Sequence, residues 1–138
     1  VDQSKAELEE AIKIRRDFIA AREALARLYL TRAQPGNAIK EADEILKLSP
    51  NYLPAKLIRS SALLGLGERE QARGELEEIS KRNPENVEAR YQIAYLAFVD
   101  KKFKESEEIF RKINQSNPDD LRSTVGVVEA LSAQNRHA

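Results

Sequence analysis

The sequence predicts an all-α fold of about eight helices, set out as helix pairs in tandem. Three observations predict it. Pro50, Pro84 and Pro118 recur at a spacing of 34 residues, inside the similar phrases Leu48-Ser49-Pro50-Asn51, Arg82-Asn83-Pro84-Glu85 and Ser116-Asn117-Pro118-Asp119. Aligned on these prolines, two columns hold only small residues: the eighth (Ala26, Ser60, Ala94) and the twentieth (Ala38, Ala72, Ser106, with Ser4 in the partial unit that precedes them). Small side chains at fixed positions let two helix backbones approach closely, and large apolar residues such as Ile45, Ile79 and Ile113 in the twenty-seventh column fill the space between pairs. Finally, the segments between breaks carry apolar residues at helical spacing.

The elements follow in order. Residues 1–18 place Glu7, Glu9 and Glu10 before Lys13, Arg15 and Arg16. That order complements a helix dipole, and it marks a second helix without its first. Unit 19–52 opens with Leu25, Leu28 and Tyr29, breaks at Gln34-Pro35-Gly36-Asn37, and resumes through Ala38, Ile39, Ala42, Ile45 and Leu46. Unit 53–86 breaks at Gly65-Leu66-Gly67-Glu68, then runs acid first (Glu75, Glu77, Glu78) and base last (Lys81, Arg82). Unit 87–120 carries Ile93, Ala94, Ala97 and Phe98, breaks at Asp100-Lys101-Lys102, and repeats the charge order with Glu105, Glu107 and Glu108 before Arg111 and Lys112. Pairs four apart, Asp43 with Lys47, Glu77 with Lys81 and Glu108 with Lys112, support these second helices. Each proline phrase ends one helix and starts the next without needing a donor. Residues 121–138 read as the first helix of a further repeat without its second, or as a capping helix, so Val125, Val127, Val128 and Leu131 are expected to lack a partner.

Composition excludes most chemistry. Among 138 residues there are 23 Lys+Arg and 23 Asp+Glu, and no Cys, Met or Trp. Thiolate nucleophiles, disulfides and cysteine metal sites are therefore absent. The single histidine, His137, lies beside the C-terminus and is expected to fray, which leaves no plausible catalytic triad or imidazole base. No catalytic residue, cofactor or metal site is expected. Charge stays balanced segment by segment, so neither nucleic-acid binding nor attraction to an acidic membrane is expected. No apolar run is long enough to span a bilayer, so no direct membrane insertion is expected. The start, Val1-Asp2-Gln3-Ser4-Lys5, is not a signal peptide and lacks an initiator Met; a piece of a longer chain is expected, with its compartment open. Gly65-Leu66-Gly67-Glu68-Arg69-Glu70 holds GxG without a third glycine or a preceding strand, and reads as a turn rather than a dinucleotide fingerprint. The acidic runs are expected to be solvated outer faces.

The period and columns resemble the tetratricopeptide repeat. Leu25, Tyr29, Ala38 and Pro50 match its pattern in the first full unit, Gly67, Ala72 and Pro84 in the second, and Phe110 and Pro118 in the third. Ile93 and Ala94 are conservative there, and Phe103 is the aromatic often found after the turn. Arg22, Lys56, Arg90 and Thr124 stand where the family carries Trp, and Arg59 replaces a usual Leu. The resemblance implies a right-handed α-solenoid of antiparallel helix pairs whose first helices line a concave groove. It also implies a protein–protein interaction scaffold rather than an enzyme.

Groove positions of the family correspond here to Arg27, Leu30, Leu57, Leu64, Tyr91, Tyr95 and Phe98, an apolar and aromatic set suited to a peptide or partner helix. Tyr91 and Tyr95 are the expected principal anchors, with Arg27 and Arg122 selecting charge. The carboxylate clamp that some members use to grip chaperone C-termini falls on Glu23, Arg27, Ile58, Glu88 and Gln92, of which only Arg27 is basic, so that clamp is absent. The alternative function is a structural spacer or self-assembly module that stacks through its exposed terminal helices.

Overall fold

The computed structural model describes residues 2–137, with His137 described by its backbone alone. Among these residues there are eight α-helices and no strand: α1 (Gln3–Ile14), α2 (Ile19–Thr31), α3 (Pro35–Leu48), α4 (Leu53–Gly65), α5 (Arg69–Arg82), α6 (Val87–Val99), α7 (Phe103–Ser116) and α8 (Leu121–His137). The protein is all-α. Its helices fall into two compact units, residues 1–75 and 76–138, divided within α5. None of the helices is long and apolar enough to cross a membrane. The histidine side chain lies outside the described residues.

One loop design recurs every 34 residues. After α1, α3, α5 and α7 the first loop residue returns its N–H to the helix (Arg15 to Ala11, Ser49 to Ile45, Asn83 to Ile79, Asn117 to Ile113). Three residues on, a second N–H closes the turn (Phe18 to Arg15, Tyr52 to Ser49, Asn86 to Asn83, Asp120 to Asn117). The loop after α1 thus matches those that follow second helices. The turn inside each pair is equally regular. Gln34, Glu68 and Lys102 donate to the carbonyls of Tyr29, Leu63 and Ala97 at 2.8, 2.9 and 2.8 Å. The residue before each donates three back, which completes a Schellman motif. That motif needs a left-handed residue, and Ala33 (φ 54°), Gly67 (φ 78°) and Lys101 (φ 63°) occupy the same column. Only Gly67 adopts it without strain; for Ala33 and Lys101 the conformation costs about 1–2 kcal/mol. Two boundaries differ from expectation. Gly65, read in a break, is the last residue of α4. The break read at 34–37 is shorter, because Pro35 sits in the first turn of α3, where its fixed φ starts the helix and its missing N–H is not needed.

The small columns mark the closest helix approaches. Ala26, Ala38, Ser60, Ala72, Ala94 and Ser106 are all 0 % exposed. In the first unit Leu25, Tyr29, Ile45 and Ile58 pack around Ala26, Ala38 and Ala42, with Leu8 and Ile12 of α1 laid against them. In the second unit the Ser106 hydroxyl donates to the Ala94 carbonyl at 2.8 Å, a bond possible only where α6 and α7 nearly touch.

The departures from the family pattern have structural uses. Arg22 and Arg90, in the lost Trp column, each turn back to the carbonyl six residues earlier, Arg16 at 3.0 Å and Pro84 at 3.1 Å. Each also binds a carboxylate, Glu41 or Glu85, at 2.8 Å. The emptied column thus fastens the preceding loop. Arg59, where Leu was usual, joins Asp43 of α3 and Glu75 of α5. Because Arg59 takes Asp43, Lys47 reaches Glu44, three residues back rather than four, and Lys81 likewise reaches Glu78.

Gly126 answers to a neighbour as well. A methyl there would lie 2.5 Å from Cδ1 of Phe110, inside van der Waals contact with the ring. Helix propensity alone favours Ala over Gly by about 1 kcal/mol. Gly126→Ala is nonetheless expected to destabilise by about 1–3 kcal/mol, because a packed ring must shift. In a Phe110→Ala background the same change is expected to stabilise. Urea unfolding of the four variants checks this, and the same sign in both backgrounds would contradict it.

Candidate functional site

The residues expected to line a groove divide between the two units. In the first, Arg27 is exposed on α2 and pairs with Glu23 at 2.9 Å, and Glu23 also accepts from the Tyr52 hydroxyl at 2.5 Å. Leu30, Leu57 and Leu64 are half-buried. Leu30 packs against the core at its edge, so it offers only part of its surface.

In the second unit the aromatic residues separate. Tyr91 is buried, 8 % exposed, and its hydroxyl donates to Asp120. The guanidinium of Arg122 lies 4.0 Å from the Tyr91 ring centroid and 3.5 Å from Glu88. The tilted Phe110 ring lies 6.1 Å away. Tyr91 is thus committed to its own unit on every side. Tyr95, one turn on, is 50 % exposed. Phe98 is half-buried and meets the edge of Phe103 at 5.3 Å. Tyr95 is therefore the more accessible of the two tyrosines read as anchors.

The two units share one device that the sequence reading did not find. The fifth and thirty-fourth columns form a tyrosine–carboxylate hydrogen bond in each, with the roles exchanged: Glu23 accepts from Tyr52 in the first, and Tyr91 donates to Asp120 in the second. A register signal existed, since both pairs lie 29 residues apart, but no single column holds one residue type. These bonds displace the ionisation of their members. Burial opposes ionisation of Glu23, but the Tyr52 hydroxyl and the Arg27 guanidinium outweigh it and hold the carboxyl below its usual range. The Tyr91 hydroxyl lowers Asp120. Tyr52 is raised by its bond to Glu23; Tyr91 is raised by burial first and by Asp120 second. Among the described residues no three His, Asp or Glu side chains form a metal-holding group.

The face of α8 expected to lack a partner is open. Leu121 is 76 % and Val128 57 % exposed, and Val125 and Leu131 are exposed as well, while Val127 is half-buried. Val128 stands in the eighth column, where Ala26, Ser60 and Ala94 are small and covered.

Comparisons with known proteins agree with this architecture. Residues 59–120 match the family model of the tetratricopeptide repeat. No curated protein matches the chain by sequence. Among solved structures, the chain is similar to a tetratricopeptide repeat protein from Parabacteroides merdae, with a TM-score of 0.81 and 21 % identity over 95 % of this chain and 51 % of that one. It is also similar to a thermophilic tetratricopeptide repeat protein of Thermus thermophilus, with a TM-score of 0.77 and 20 % identity over 92 % and 71 % of the two chains. The first tetratricopeptide repeat domain of human RPAP3 gives a TM-score of 0.74 and 14 % identity over 86 % and 93 %. The chain spans about half the length of the Parabacteroides protein. The fold is thus that of tetratricopeptide repeat proteins, and residues 59–120 carry the sequence pattern of that repeat in divergent form.

The tyrosine–carboxylate bonds carry a pH signature. Glu23 and Asp120, depressed in the folded state, add stability that is present above the ordinary carboxylate range and is lost as pH falls through their folded values. Tyr52 and Tyr91, raised above the ordinary phenol value of 10.0, add stability that is present below it and is lost as pH rises. Urea midpoints across pH are therefore expected to fall on both sides of a neutral plateau. The double variant Tyr52→Phe, Tyr91→Phe is expected to fall less steeply on each; parallel profiles would contradict the assignment.

Proposed function

We propose that the protein is an interaction scaffold whose first helices hold a peptide or helix of a partner protein. Tetratricopeptide repeat proteins are in general protein–protein interaction scaffolds rather than enzymes, and this chain carries their repeats. The single observation that carries the proposal is Tyr95, a half-exposed aromatic on α6 that makes no hydrogen bond or ring contact among the described residues. Tyrosine buries a large ring at low entropic cost and keeps a polar handle, which makes it a favoured interface anchor. On the second unit the proposed contact set is Tyr95 and the exposed part of Phe98 on α6, with Val125 and Arg122 of α8. On the first it is Leu30, Leu57 and Leu64 with Arg27 as charge selector. Tyr91 acts here mainly as the support that sets Arg122.

A second reading, self-association, is favoured by a different observation, the open apolar face of α8 with Leu121 and Val128. The two separate in one experiment. A photo-crosslinking side chain at position 95 is expected to yield a discrete heterologous adduct in cells, while one at the exposed second-helix residue Glu78 yields none. No adduct at 95, equal adducts at both positions, or an adduct only of the chain with itself would overturn the scaffold reading.

A further inference from the structure

We propose that the turn between α6 and α7 is a second docking site, for an acidic peptide segment of a partner protein. A cleft of about 500 Å³ opens there, lined by Lys101, Lys102, Lys104, Phe103, Glu105 and Gln134. The repeat itself supplies the control. The columns of Lys101, Lys102 and Lys104 hold Ala33, Gln34 and Gly36 in the first full unit and Gly67, Glu68 and Glu70 in the second. All three turns make the same backbone hydrogen bonds. The fold therefore asks for no lysine at any of these positions.

Local physics disfavours them. Lys101 holds a left-handed conformation that Gly67 adopts freely in the same column. Lys102 occupies the N-cap of α7 without a side-chain cap bond, where helices prefer an acceptor. Lys102 and Lys104 lie at the positive end of the α7 dipole, whereas Lys101 also follows the negative end of α6. Nor do they serve an internal ion pair: among the described residues none joins Lys101, Lys102 or Lys104 to a carboxylate within bonding distance. Lys104 lies within electrostatic reach of Glu107. The Glu107 oxygens are taken by Arg111 at 2.6 Å and Gln134 at 2.7 Å. Among the described lining residues Glu105 is the one carboxylate. Where local choices conflict with the fold without compensation, function is the expected reason.

The chemistry of the cleft selects the ligand. Three ammonium groups within four residues match two or three carboxylates. Phe103 adds an apolar floor. The balanced charge of the other segments leaves no basic track to follow a nucleic-acid backbone. The site lies at a turn rather than on the first-helix faces, so its success or failure is independent of Tyr95.

Fluorescence anisotropy with a fluorescein-labelled peptide of alternating Glu and Asp around one Leu tests the proposal on the full chain. Saturable binding that weakens with salt is expected. The triple variant Lys101→Glu, Lys102→Glu, Lys104→Glu is expected to lose at least tenfold in affinity. A control triple with the same change of net charge, Lys13→Glu, Lys40→Glu, Lys81→Glu, is expected to bind within about twofold of the unchanged protein. Acid at the start of α7 suits the helix dipole, so the site variant is expected to unfold at a higher urea midpoint while binding less. A Lys→Gln triple, also expected to lose binding, covers any misfolding. No binding by the unchanged protein, equal loss in both Glu triples, or binding of phosphatidylserine vesicles with none of the peptide would each overturn the proposal.

Discussion

Each helix pair depends on two side chains being small. At the eighth and twentieth columns the backbones come so close that Ala and Ser are sealed completely, with Ala26 facing the same core as Ala38 and the Ser106 hydroxyl reaching the Ala94 carbonyl. Interiors are packed as densely as organic crystals, so a bulkier residue there has nowhere to go. The large residues are then placed by what the small ones allow. Ile45 is fully buried in the first unit and Ile113 nearly so in the second. At the end of the second unit the balance is struck the other way round, a large Phe110 against a bare Gly126.

Polar groups fix what packing leaves loose. In the fourth column Arg22 and Arg90 each collect a backbone carbonyl of the preceding loop. Tyrosine–carboxylate bonds then join the start of a first helix to the end of its repeat. Because Glu23–Tyr52 and Tyr91–Asp120 exchange donor and acceptor, the pair rather than either residue is what the fold uses. The same logic separates structural from available aromatics. Tyr91 has its ring, its hydroxyl and its neighbouring cation all engaged, whereas Tyr95 leaves half its surface exposed.

The all-α class, the eight helices and their period were legible in the sequence because they rest on local signals: Pro50, Pro84 and Pro118, the small columns and the helical spacing. The open face of α8 was legible for the same reason, as an apolar run with no following partner. What was not legible depends on pairs distant in the chain. Arg22 and Arg90 read as a lost Trp, although their recurrence was visible. Arg59 read as a weak match, because its partners Asp43 and Glu75 belong to two different helices. Tyr91 read as an anchor, because spacing places it on the outward face and only three-dimensional packing shows Arg122, Phe110 and Asp120 around it. Pro35 read as a turn because proline serves turns and helix starts alike.

The close approach of the helix pairs is tested most directly by one substitution at two neighbouring positions. Ala26 is sealed in the eighth column, and Ala24, on the same helix, is exposed. Ala26→Leu is expected to lower the urea unfolding free energy by about 1–3 kcal/mol or more, as overpacking of a filled core does. Ala24→Leu is expected to stay within about 0.5 kcal/mol of the unchanged protein. Equal effects at the two positions would contradict the account.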